Sequence, residues 1–174
     1  YHMLFALHLE SVGASSTAVG VGVAAAVVAE VLLMWRFRDL RRRLPLLPIL
    51  LLAHASGVLR WHFTGLLQSG PAIAAVQALH GLTYGAFFVG SLHWLEREVP
   101  EQLRITGRAL FAALAFGVGG VAGNALAGVL YDAGGSALAF RAAAWIELGA
   151  PALLLASERM RRTRAVSAMA AGGS

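Results

Sequence analysis

The sequence predicts an all-α membrane protein, a multi-span bundle of apolar helices, and three observations carry that expectation. Hydrophobic residues make up 58% of the chain and charged ones 13%, with a mean hydropathy of +0.69, outside the range of ordinary soluble domains. The apolar residues fall in runs near the length of about 20 residues that a helix needs to cross a bilayer. Arginine-rich loops alternate with nearly uncharged turns, the pattern of a chain that crosses repeatedly and leaves its basic loops in the cytoplasm.

Tyr1 to Leu9 is apolar but too short to span, so it reads as the end of a cut helix, up to about Glu10. With no initiator methionine and no charged leader, the start resembles neither a signal peptide nor a natural N-terminus, and the chain is expected to be a fragment. Glu10 to Ser16 is a polar turn, and residues 17–35 form the first complete span, closed by Arg36, Arg38, Arg41, Arg42 and Arg43 with Asp39 among them. Residues 45–67 return, with Pro45 and Pro48 suited to a helix start, and residues 71–94 come back inward. The loop from Leu95 to Arg108 mixes glutamates and arginines and reads as amphipathic and cytoplasmic. Residues 109–130 span again, a turn follows at Asp132 to Ser136, and residues 137–157 make the last span before Arg159, Arg161, Arg162 and Arg164. Residues 165–174 read as a disordered tail. The expectation is one transmembrane bundle over residues 1–164, with five full spans and the end of a sixth.

Composition also excludes functions. Cysteine is absent, so no disulfide frame, thiolate metal site or cysteine nucleophile is available. The net charge of +5 comes from arginines at span ends, not from a duplex-binding surface, and nucleic acid is not an expected partner. No HExxH and no GxSxG pattern occurs, which argues against an enzyme; no cofactor or metal is expected. Gly117, Gly119, Gly120 and Gly123 mimic a dinucleotide loop, but no strand precedes them and they lie in a membrane span, so the match fails its context.

The most informative span is 71–94. At about 100° per residue, Gln77, His80, Tyr84, Phe87 and Ser91 share one polar and aromatic edge. Ala74, Ala78, Gly81 and Gly85 form a second, bare edge where a neighbouring helix can approach closely. A second small-residue stripe, Ala113, Gly117, Gly120, Asn124 and Gly128, predicts another close-packing face with a single amide in it. Ionisable groups in mid-membrane are costly and mark pathways or proton relays, which singles out His80, Glu30 and Arg60.

Counting about 1.5 Å per residue from the span ends puts His80 roughly 13 Å and Glu147 roughly 16 Å below the outer surface, with Tyr1 and His2 near that level. Arg60, Gln77 and Asn124 form a layer about 8 to 9 Å deep, and Glu30 falls in the inner half. These depths argue against a Glu30–Arg60 pair and leave Glu30 able to snorkel toward Arg36. Arg60 with Trp61 can anchor the outer interface. His54 has no polar neighbour in its own helix and reads as a packing residue bonded to backbone or Ser56.

The run Gln77-Ala-Leu-His80-Gly81-Leu-Thr83-Tyr84-Gly85, the loop Pro100 to Arg108 and the glycine-rich span ending Gly128-Val-Leu-Tyr-Asp132 resemble the C-terminal half of major facilitator superfamily transporters. The likeness is to the branch of phenylpropionate permeases, related to lactose permease and nucleoside:proton symporters, although the loop Arg36 to Arg43 lacks the glycines of the superfamily's usual signature. The resemblance implies the end of helix seven through helix twelve of a fold whose two six-helix halves rock about a central site. It places the span bearing Glu147 at the periphery and implies a missing N-terminal half as partner.

The expected function is that of a secondary transporter in a bacterial cytoplasmic membrane, moving a small organic solute (an aromatic acid, sugar or nucleoside) with protons. Tyr84, Gln77 and Phe87 would contact solute, His80 or Glu30 would carry the proton, and Arg60 would bias it or meet an anionic group. Tyr1 and Asn124 complete the candidate set. The alternative is a membrane-embedded assembly or interaction protein whose polar groups only hold helices together.

Overall fold

The computed structural model describes residues 2–172, and among them every regular element is helical. Helix α1 (His2–Ser11) ends in a turn at Gly13, whose φ of +71° suits glycine. Ser15 then opens α2 (Ser16–Arg43), its side chain accepting from the Ala18 amide at 3.3 Å. Pro45 starts α3 (Leu46–Leu66), where a missing amide hydrogen costs nothing. The next rod, Gly70–Glu98, contains α4 (Gly70–Val76), a 3-10 turn, a π turn and α5 (Phe87–Glu98). A break at Val99 and Pro100 leads through a 3-10 turn to α6 (Arg104–Ala112), a second π turn at Ala113–Val118, and α7 (Gly119–Glu147). Helix α8 (Gly149–Gly172) closes the chain, running through residues where the sequence suggested a tail.

Among the described residues four stretches are long and apolar enough to cross a membrane: Ser16–Arg43, Leu46–Leu66, Gly70–Glu98 and the 64-residue Glu101–Arg164. The last is interrupted inside α7, where Gly134 and Gly135 leave helical geometry and Gly135 takes φ +73° and ψ −175°. That break falls inside the turn expected at Asp132 to Ser136. One apolar face of α2 is turned outward, with Val28 at 57% and Val31 at 60% exposure, as surfaces that meet lipid are. The chain is an integral, multi-pass membrane protein.

Two buried clusters hold the bundle. Phe5 and Leu9 of α1 meet Ile73 and Phe140, with Trp61 against them; Phe37, Ile49, Ala53 and Ala86 form the second, deeper toward the arginine end. The expected bare edge of the Gly70–Glu98 rod packs on α2: a Cβ at Gly81 would lie 2.5 Å from the Ala29 carbonyl oxygen, and one at Gly85 3.4 Å from that of Glu30. The second small-residue stripe behaves otherwise. Nothing lies within 4 Å of a Cβ built at Gly117, Gly120, Gly123 or Gly128, and no residue from 101 to 135 is buried. Small side chains permit close approach without compelling it, and within this chain that face stays open.

At the arginine end, Glu158 of α8, nearly buried, receives Arg161 at 2.6 Å, Arg162 at 3.1 Å and, across the bundle, Arg97 of α5 at 3.4 Å. Arg108 of α6 pairs with Glu96 of α5. These contacts tie the arginine-rich parts of α5, α6 and α8 together.

Candidate functional site

The site is built on the Gly70–Glu98 rod, where helix geometry changes twice within ten residues: a 3-10 turn at Gln77–Leu79 is followed by a π turn at Gly81–Ala86. Such departures concentrate at functional positions because they re-aim side chains. A π turn takes more residues than an α turn, so side chains four apart stand almost above one another. His80 stacks on Tyr84 with ring centroids 5.4 Å apart and an 11° interplanar angle, and Tyr84 stacks on Phe88 at 5.8 Å and 1°. Phe116, from the second π turn, closes on Tyr84 at 6.2 Å and Phe88 at 6.0 Å.

Beside this column opens a cleft of about 230 Å³, lined among others by His54 and Arg60 of α3, His80, Tyr84 and Phe87 of the rod, and Glu147 at the end of α7. Behind His80, the Glu30 carboxylate of α2 stands 3.4 Å from Nε2. The close approach at Gly81 and Gly85 is what brings α2 near enough for this pairing. On another wall, His54 Nδ1 and Glu147 Oε1 are 2.7 Å apart, and the His54 ring meets Phe87 edge-on at 5.6 Å. Glu147 reaches that position by lying on bare backbone: a Cβ at Gly57, one turn after His54, would be 2.9 Å from Oε1.

Arg60 is 3% exposed, its guanidinium carbon 3.9 Å from the centre of the Trp61 ring. Its Nη1 donates to Gln77 Oε1 at 3.3 Å, while Gln77 Nε2 donates to Thr64 Oγ1 and to the Ile73 carbonyl, each at 3.1 Å. Gln77 has no exposed surface. Its amide is committed to holding Arg60 in place, whereas the sequence suggested a solute contact.

Several expectations change with the geometry. Glu30 turns to His80 instead of snorkelling to Arg36, and Arg60 is buried instead of anchoring the interface. His54, read as a packing residue, pairs with a carboxylate 93 positions away, and Glu147, expected at the periphery, lines the cleft. Asn124 is exposed and lines other grooves, with Leu4, Gly120 and Phe140 in one and with Leu7, Tyr131 and Asp132 in another; it does not join Arg60 and Gln77. Depth alone had grouped them, and rotation about the helix axis separates them. Tyr1 lies outside the described residues. The single sequence signal for the missed couple was Gly57, a glycine one turn from a mid-span histidine.

Chemically, the cleft offers a guanidinium suited to a carboxylate, aromatic faces suited to a ring, and two imidazoles each paired with a carboxylate, one of them, Glu30, behind the cleft wall.

The family model described as the MFS_1 like family matches residues 1–142. The probable 3-phenylpropionic acid transporter of Escherichia coli (strain K12) is 30% identical over 133 residues, covering 76% of this chain and 35% of that protein. The transporter YwbF of Bacillus subtilis (strain 168) is 25% identical over 128 residues, covering 74% of this chain and 32% of that one. The chain therefore spans about a third of the length of these relatives. No solved structure matches it significantly.

Proposed function

The chain belongs to the MFS_1-like family, and from that premise we propose that it forms part of a secondary active transporter that carries a small aromatic carboxylate together with protons by alternating access. One observation supports this reading above others: a single cleft gathers Arg60, the Tyr84 and Phe87 rings and His80, with the Glu30 carboxylate 3.4 Å behind the imidazole. The guanidinium faces the carboxylate of the solute and the rings face its apolar body. His80 and Glu30 share a proton that is taken up on one side of the membrane and released on the other. A relative named for 3-phenylpropionic acid makes 3-phenylpropionate the first probe.

In this reading the Glu101–Arg164 stretch crosses twice, hinged at Gly134–Gly135, which gives five full spans. The arginine-rich ends and the C-terminus face the cytoplasm of a bacterial cell, and an N-terminal half completes the cavity. Intact mass of the native gene product from membranes tests the last point, and a mass near the 18.2 kDa of this chain would count against it.

The functional test is gradient-driven uptake of 3-phenylpropionate by the intact gene product in proteoliposomes, with protein-free vesicles subtracted because the neutral acid leaks. We expect the joint change Glu30→Gln and His80→Gln to abolish proton-driven uptake while solute exchange persists. Uptake that survives the joint change would remove the coupling role. A protein with no solute response at all, in transport or in thermal shift, would favour the interaction role instead.

A further inference from the structure

We propose that the His54–Glu147 couple is a second proton-binding site of the cleft, separate from His80–Glu30, so that two protons accompany each monoanionic solute. This rests on the transport reading above and goes beyond it in assigning a site and a charge number. Four features argue for a working couple over a passive clasp. It joins two segments far apart in sequence, α3 and the end of α7, at 2.7 Å. It is built on a glycine: the carboxylate lies against the bare backbone at Gly57, where a Cβ would come within 3.2 Å of both Cγ and Cδ. It opens on the cleft, with Glu147 29% and His54 14% exposed at the side chain, so protons can reach it. And Glu147 is the last residue of α7 before the turn at Leu148, so its position depends on how α7 and α8 meet.

The charged and titratable groups around it are Arg60 on its own helix, His80 and Tyr84 on the facing rod, and Glu30 on α2 behind His80. Arg60 stays charged at all relevant pH, so it takes no part in the proton count, which falls to the two couples. The charge balance is simple. A monoanion carried with one proton moves no net charge, and with two protons it moves one positive charge per turnover. No covalent bond is made or broken.

The experiment is charge movement on a solid-supported membrane bearing proteoliposomes of the intact gene product, with 3-phenylpropionate added at equal pH on both sides. The expected result is a positive inward current in the unaltered protein. In Glu147→Gln, and separately in His54→Gln, the current should fall at least tenfold while exchange of labelled against unlabelled 3-phenylpropionate persists. Exchange shows that the variants are folded and bind the probe. Solute movement without current in the unaltered protein would overturn the proposal while leaving one-proton transport by His80–Glu30 intact. Current that persists in both variants would overturn it too. Failure of the transport reading looks different: the unaltered protein would then neither exchange the probe nor draw protons with it.

Discussion

Gln77 shows how a side chain can matter to the site without touching solute. Its amide bridges Thr64 and Arg60 with no exposed surface, so replacing it with leucine removes one hydrogen-bond partner from a buried guanidinium and one from a buried hydroxyl. Gln77→Leu should cost about 1–3 kcal/mol, read as a lower unfolding temperature in detergent, and should weaken 3-phenylpropionate binding more than proton uptake. Gly81 is a second sensitive residue. A methyl group there meets the Ala29 carbonyl, a backbone atom that cannot rotate aside, and Gly81→Ala should destabilise by about 1–3 kcal/mol and loosen the Glu30–His80 contact. At this scale the sequence was partly legible. Ionisable residues in apolar spans stand out by their cost alone, and His80, Glu30 and Arg60 stood out. Partners did not, because depth counted along a helix carries several ångströms of tilt and says nothing of rotation. Depth alone therefore lets Glu30 snorkel toward Arg36 and groups Asn124 with Arg60 and Gln77, whereas Glu30 meets His80 and Asn124 lines other grooves.

Between the residues and the fold stands the Gly70–Glu98 rod, whose 3-10 and π turns decide where its side chains point. A pattern repeating every 3.6 residues cannot reveal a π turn, since the same sequence fits an uninterrupted α-helix about as well. The bare edge at Gly81 and Gly85 was legible all the same, because a close helix neighbour needs small residues at whatever pitch. Inserting one alanine between Ala86 and Phe87, where the π turn gives way to α geometry, should rotate the following part by about 100° relative to the preceding part. His80 and Phe87 would then no longer line the same cleft. The expected outcome is a protein that still inserts into membranes but shows no rise in unfolding temperature with 3-phenylpropionate.

The spans, their order and the arginine-rich ends follow from hydropathy and charge, which bilayer thickness and the positive-inside bias make reliable. Contacts between distant segments do not follow, because lipid offers little drive for one helix pairing over another and the choice rests on local shape. The complete lack of cysteine makes the topology easy to test. Single cysteines at Asp39 and at Ser69 should react with an impermeant maleimide from opposite sides of the membrane, with position 39 labelled only from the cytoplasmic side. Labelling of both from one side would refute the crossing of α3. The region from 101 to 135 contributes no buried residue, so changes there such as Gly123→Ala should leave the stability of this bundle, read by denaturant unfolding, within about 0.5 kcal/mol of its starting value.

The seat at Gly57 has a consequence for inheritance. Glycine is the one residue without a Cβ, so every missense change of that codon adds an atom where the Glu147 carboxylate lies. The displaced group is the end of a flexible side chain, so the fold survives and the couple is lost. In a library of random variants selected only for membrane insertion, position 57 should accept small substitutions, and each of those variants should lose the current that 3-phenylpropionate draws while still exchanging it.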